Sequence, residues 1–274
     1  SSHLSSSDII LPSAFFVMTS GDVFEGNRDP ERWIKTAAWC EGVKLAAELA
    51  GRRSSRFLLC PLDEISSVAT KRIHFVRHGQ GRHNIATDDE KKKAKRGVES
   101  AALMISEVPY LHDPDLTDKG RAEAMESQPK AEACTPELLV FSPVRRATQT
   151  GLIVWEKAVN SKVPIMAHEL CRENIFNSSP SLYDKRTGRS ALKAEFPMVD
   201  YTFILEEEGE IDDPLWSNLS SPCGPCESPS MATCVEQAWS FLNWLMARPE
   251  TEIAVTTHSG WLLALFHGCL DPPT

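Results

Sequence analysis

From Lys71 onward, short apolar runs alternate with helical patterns, and this alternation restricts the possible folds more than any other property of the chain. "RIHFVR", "ELLVFSP", "PIMAH" and "EIAVTTHSG" read as strands. Between them, "LTDKGRAEAMES" starts a helix with Thr117 as N-cap, and "PVRRATQTGLIVWEKAV" starts one with Pro143 near its N-terminus. "SALKAEFP" is a brief helix ended by Pro197. "MATCVEQAWSFLNWLMARP" is amphipathic, with Val235, Ala238, Leu242 and Leu245 along one face, and "WLLALF" is a last helix. Strands alternating with helices predict a three-layer α/β/α sandwich with a mostly parallel central sheet over residues 71–274. Residues 1–70 read as an N-terminal extension whose packing the pattern leaves open, with a helix over "DPERWIKTAAWCEGVKLAAELAG" closed by Gly51.

The totals limit the partners. A net charge of −9 argues against generic attraction to nucleic acid or to an anionic membrane, so an anion site needs a local cluster of cations. No run of 18 apolar residues exists, and "IILPSAFFVM" is interrupted by Pro12 and Ser13 and lacks a basic flank. The chain begins with Ser rather than Met, which leaves targeting open, and a cytoplasmic protein is the expectation. Eight cysteines in 274 residues need no disulfide framework. "CGPC" at 223–226 resembles a thioredoxin redox pair but lies in a loop-like stretch, and Cys223, Cys226 and Cys234 offer no fourth zinc ligand. "KKKAKR", Lys91 to Arg96, reads as a solvated helix face, with nuclear import as its alternative, and "EEEGEIDD" reads as a solvated loop.

Three of the expected strands end alike. The first runs into Arg77-His78-Gly79. The second ends at Ser142-Pro143, with Arg145 and Arg146 on the next helical turn. The last ends at His258-Ser259-Gly260. Ligands of parallel α/β sheets bind at the carboxyl ends of strands, so these clusters are expected to converge. Arginines, histidines and helix N-termini around one point suit a tetrahedral oxyanion, and phosphate is the expected ligand. A neutral histidine is a competent nucleophile for phosphoryl transfer, neighbouring cations favour its neutral form, and an alkoxide leaving group needs a proton from a carboxyl. His74 lies one position off the Ile73/Phe75 face and reads as structural, while His83 reads as a rim residue without a role.

"VRHGQGRHN" resembles the Arg-His-Gly signature of the histidine phosphatase superfamily, the phosphoglycerate-mutase-like proteins. "LTDKG" looks like that family's Leu-Thr-x-x-Gly helix start, "FSPVRRATQT" is similar to its second motif and "TTHSG" to its third. "CREN", "LYDKRTGRSALKAEFP" and "VDYTFI" look closest to the plant and fungal branch. The resemblance covers residues 71–268, with motifs in the family's order. It implies that His78 is the nucleophile, that Arg77, Arg146 and His258 hold phosphate oxygens, and that Glu173 is the proton donor. Glu169, one turn earlier, is the alternative donor. Asn84, Gln80 and Ser259 form the implied substrate-binding set, and Arg145 is expected to face solvent or a neighbour. Asp184-Lys185-Arg186 either touches substrate from a lid or closes a turn. No metal or cofactor is implied, and the partner is a small phosphorylated substrate.

Gln80 stands where mutases of the family carry Glu, and Gly81 removes a hydroxyl often found beside the phosphate. The Glu-Arg-His-Tyr-Gly segment of true phosphoglycerate mutases is missing from the chain. The expected activity is therefore phosphomonoester hydrolysis, with mutase activity and a non-catalytic scaffold as alternatives. Substrate choice is expected to reside in residues 85–115 and 174–232. The chain stops at "CLDPPT", where family members usually have a further strand.

Overall fold

The computed structural model describes residues 9–12, 15–17, 57–60, 71–94, 101–173, 181–205, 213, 216 and 231–271. The helix expected over 29–51, the "CGPC" pair and all of the acidic run except Asp213 lie outside them.

Alternation along the strands sets the layers. β4 (Arg72–Arg77) pairs with β8 (Glu252–Thr257), and β8 with β5 (Leu138–Phe141), so that Ile73, Ile253 and Leu138 stand in one row and Phe75, Val255 and Val140 in another. These residues point to one face of the sheet, because side chains alternate with a period of two. There they pack against Val235, Ala238, Phe241, Leu242 and Leu245 of α8 (Met231–Ala247) and Trp261 and Leu265 of α9 (Ser259–Gly268). The intervening residues Val76, Leu139, Phe141 and Ala254 face the other side, with Ala124 of α4 (Asp118–Glu132) and Val154 of α5 (Arg145–Val154). Two apolar faces require two helical layers, and the sandwich follows.

The full sheet has the order β2-β4-β8-β5-β6-β7, with β2 (Phe15–Val17), β6 (Ile165–His168) and β7 (Asp200–Phe203), and every pair is parallel. The edge strand β7 has one buried residue in four, Tyr201, a pattern too weak to read as a strand. A second parallel sheet joins β1 (Ile9–Pro12), β3 (Phe57–Cys60) and β9 (Leu270–Asp271). Among the described residues, no helix is long and apolar enough to cross a membrane.

Smaller elements cover the carboxyl ends of the strands. α1 (Arg82–Ile85) and α2 (Asp88–Lys93) follow β4, and α3 (Ala101–Glu107) precedes α4. Lys92 and Lys93 are exposed on α2. Met104, Val108, Leu111, Leu182 and Trp216 form a separate apolar cluster, so both insertions expected to set specificity share one small core. α6 (Glu156–Asn160) continues α5 after a break at Trp155, and α7 (Arg189–Glu195) is capped by Phe196, immediately before Pro197. His74 is 1% exposed, bonds Glu252 Oε1 at 3.0 Å and lies against Trp155, which makes it a structural residue.

The glycine of "LTDKG" has a specific job. Thr117 caps α4 by accepting the Gly120 N–H, and Gly120 meets the loop after β4: a Cβ there would sit 2.2 Å from the Gln80 carbonyl oxygen. Gly79 is the reciprocal contact, at 2.4 Å from the Gly120 oxygen. The Gly120→Ala variant is expected to lose about 1–3 kcal/mol of stability through overpacking, measured by chemical denaturation, because backbone cannot yield as a flexible side chain does.

Candidate active site

Four neighbouring strands deliver the site. β4 ends at His78, β8 at His258, β5 at Ser142, and β6 leads through a short 3-10 turn (Glu169–Cys171) to Glu173. The sheet order places the last motif of the sequence between the first and the second. The His78 and His258 rings consequently lie 5.0 Å apart between centroids.

His78 is 4% exposed. Its backbone N–H continues the ladder to the Thr257 carbonyl at 3.0 Å. Its Nδ1 lies 2.7 Å from the Gly79 carbonyl oxygen. A carbonyl only accepts, so Nδ1 carries the hydrogen and the neutral ring keeps its lone pair on Nε2. Burial, then the Arg146 and Arg77 charges, hold the imidazole pKa well below its usual value. The loop is held by three further bonds. Gly79 N–H donates to Thr150 Oγ1, Gln80 N–H to Glu123 Oε2, and Gly81 N–H to Asn84 Oδ1.

Arg146, on the first turn of α5, is 1% exposed. Its Nη1 donates to the Tyr183 carbonyl at 2.6 Å and its Nη2 to Asp184 Oδ1 at 3.0 Å. Asp184 therefore holds Arg146 from the turn at 182–184. His258 is fully buried; its Nε2 lies 2.8 Å from Ser142 Oγ, while Nδ1 has no protein partner. Burial and Arg146 keep this ring neutral as well. Arg145 turns away to Asp115 and Glu195, each at 2.9 Å.

The two candidate carboxyls have different surroundings. Glu169 accepts from Arg172 Nη1 at 3.0 Å and from Arg186 Nε at 2.9 Å, so both oxygens are engaged by cations. Arg172 also forms a two-pronged pair with Asp213, at 2.9 and 2.8 Å, and Asp213 accepts the Arg186 backbone N–H. Glu173 instead accepts the Trp261 and Gly260 N–H groups at the start of α9, at 2.9 and 3.3 Å. Desolvation and the nearby Asp184 charge push its carboxyl up to about 7. A carboxyl near 7 can donate a proton at neutral pH.

The substrate-binding set is less uniform. Gln80 Oε1 accepts the Thr117 hydroxyl at 2.8 Å, Asn84 caps Gly81, and Ser259 is half-buried at the start of α9. His83, read from sequence as a rim residue, is half-buried: its ring is 5.6 Å from that of His78 and stacks on Tyr183 at 5.2 Å. Its contacts with these two rings were not legible, because a four-residue helix has no periodicity to show where a side chain points. Ser142 and Thr150 lie within the second motif and Asp184 within the stretch read as lid or turn, whereas Glu123 carried no signal of its own. Among the described residues, His74, Cys134 and Glu252 are the one cluster with metal-ligand chemistry, near the opposite end of β4, and Glu252 there already accepts from His74 and the Thr135 N–H.

No family model matches the chain. It is 27% identical over 226 residues to a phosphoglycerate mutase-like protein of Arabidopsis thaliana, covering 73% of this chain and 74% of the relative. It is 28% identical over 192 residues to a probable phosphatase of Schizosaccharomyces pombe, covering 69% and 74%. Among solved structures, the ecdysone phosphate phosphatase of Bombix mori aligns with a TM-score of 0.44 at 12% identity, over 72% of this chain and 76% of that one.

Two substitutions separate the carboxyl roles. Glu169→Gln leaves buried arginines undercompensated and is expected to cost about 3–5 kcal/mol in denaturant unfolding. Glu173→Gln keeps an acceptor oxygen for the shorter bond, from the Trp261 N–H, and loses the longer one, from the Gly260 N–H, so unfolding at pH 7 is expected to cost only about 1–2 kcal/mol.

Proposed function

We propose that this chain, a phosphoglycerate-mutase-like member of the histidine phosphatase superfamily, is a metal-independent phosphomonoesterase acting through a phosphohistidine at His78. One observation carries the reading: a buried neutral imidazole whose Nδ1 is tied to a carbonyl, in one pocket with a carboxyl of pKa about 7. The first is a nucleophile and the second a proton donor at the same pH.

In the first step His78 Nε2 attacks phosphorus. The P–N bond forms as the ester P–O bond breaks, and the Glu173 proton passes to the leaving oxygen. Arg77, Arg146 and His258 hold the phosphoryl oxygens and balance their charge, so the arginines supply what a metal supplies elsewhere. His258 serves this role from Nδ1, with Nε2 accepting from the Ser142 hydroxyl. In the second step the Glu173 carboxylate takes a proton from water, the water oxygen attacks phosphorus, and the P–N bond breaks to release inorganic phosphate. Asn84, Gln80 and Ser259 border the substrate in this reading, and residues 71–274 are its catalytic unit. The substrate is a small phosphorylated molecule.

His78→Ala is expected to lower phosphate release from p-nitrophenyl phosphate at least about a thousandfold and to abolish acid-labile labelling of the protein. Unlabelled wild-type protein, inactive across a panel of phosphoesters, would sink the proposal. Conversion of 3-phosphoglycerate to its isomer without phosphate release would favour the mutase. Glu173 must be protonated to act, so kcat/KM falls as pH rises through about 7. The Asp184 charge raises that carboxyl, and Asp184→Asn is expected to move this limb to lower pH, read from the pH–rate profile.

A further inference from the structure

We propose that the His83 imidazole is a ligand for the substrate's phosphoryl oxygens, adding a third ring to the anion pocket beside His78 and His258. The inference rests on the phosphatase reading of that pocket and adds a residue to it.

Three features place His83 there. Its ring is wedged between the His78 ring at 5.6 Å and the Tyr183 ring at 5.2 Å, with only 23° between the latter planes. The slot exists because residue 81 is glycine: a Cβ at Gly81 would lie 2.8 Å from both Nδ1 and Cε1 of His83, and 3.4 Å from Arg146 Cδ. The hydroxymethyl group whose loss was noted in the sequence is thus replaced in space by an imidazole. Finally, His83 Nδ1 is buried without a protein partner, as is His258 Nδ1. A buried ring nitrogen left unbonded is costly, and a bound oxyanion meets that need.

The His78 and Tyr183 rings lie against His83, and the charges that act on it most are those of Arg146 on α5, Arg77 at the end of β4 and Lys91 on α2. Burial, and after it these charges, hold the imidazole pKa well below its usual value. The same set of charges draws in a phosphate dianion. Tyr183 links the two sides, because its ring supports His83 while its carbonyl holds Arg146.

Isothermal titration of the full chain with inorganic phosphate tests this without turnover. His83→Phe keeps the ring on Tyr183 and removes both nitrogens, and phosphate affinity is expected to fall about tenfold. His83→Asn restores a hydrogen-bonding nitrogen near the Nδ1 position and is expected to recover most of that loss. Phosphate binding by His83→Phe at wild-type strength would overturn the inference and leave the His78 mechanism standing. Equal losses in both variants would mean a packing role and would overturn it too. Failure of wild-type protein to bind phosphate would bring down this inference and the phosphatase reading together.

Discussion

A guanidinium with 1% of its surface exposed has to be compensated where it sits, and the pocket is organised around how Arg146 is held. Tyr183 and Asp184 take its two terminal nitrogens from a turn 37 and 38 residues further along the chain. The Arg146 charge then reaches every titratable group of the pocket. It adds to burial in keeping His78, His83 and His258 neutral, and it tempers the upward shift of Glu173. A chain of net charge −9 thereby maintains one strongly cationic point, at the carboxyl ends of its central strands.

The turn that carries Asp184 is itself anchored by charge. Arg172 donates to the Asp184 carbonyl, pairs with Asp213 and touches Glu169, and Arg186 completes the set. Such buried ion pairs contribute little net stability, because desolvation offsets their attraction; what they supply is register. Here they fix the segment after β6 against the turn at 182–184, and so set Glu173 and Arg146 in one frame. Arg172 immediately precedes Glu173, which makes the ion network and the proposed proton donor neighbours in the chain as well as in space.

Much of this was legible in the letters. The strands β4, β5, β6 and β8 and the helices α4, α5, α7, α8 and α9 follow from apolar runs, periodicity, a Thr N-cap and well-placed prolines. Arg77, His78, Arg146 and His258 were legible as charged or nucleophilic groups just past apolar runs, where an α/β sheet binds ligands. β7 was not, because three of its four residues face outward on a sheet edge. The neighbours of His83 were not legible, because they include a glycine slot and a tyrosine 100 residues away. In "HELCRE" only the family resemblance favoured Glu173 over Glu169, since what separates them is their partners: two arginines for one, the N-terminus of α9 for the other.

By itself the sequence determined the alternation of strand and helix, the residues standing at each strand end, and the glycines at positions 79, 81 and 120. These are local properties, set by side-chain period, capping and backbone sterics over a few residues. Tertiary structure alone decided that β8 lies between β4 and β5, bringing His258 within 5.0 Å of His78. It also decided that Glu169 is engaged by two arginines while Glu173 meets the N-terminus of α9. Strand adjacency, desolvation and charge compensation are sums over contacts distant in sequence, and no short stretch of the chain contains them.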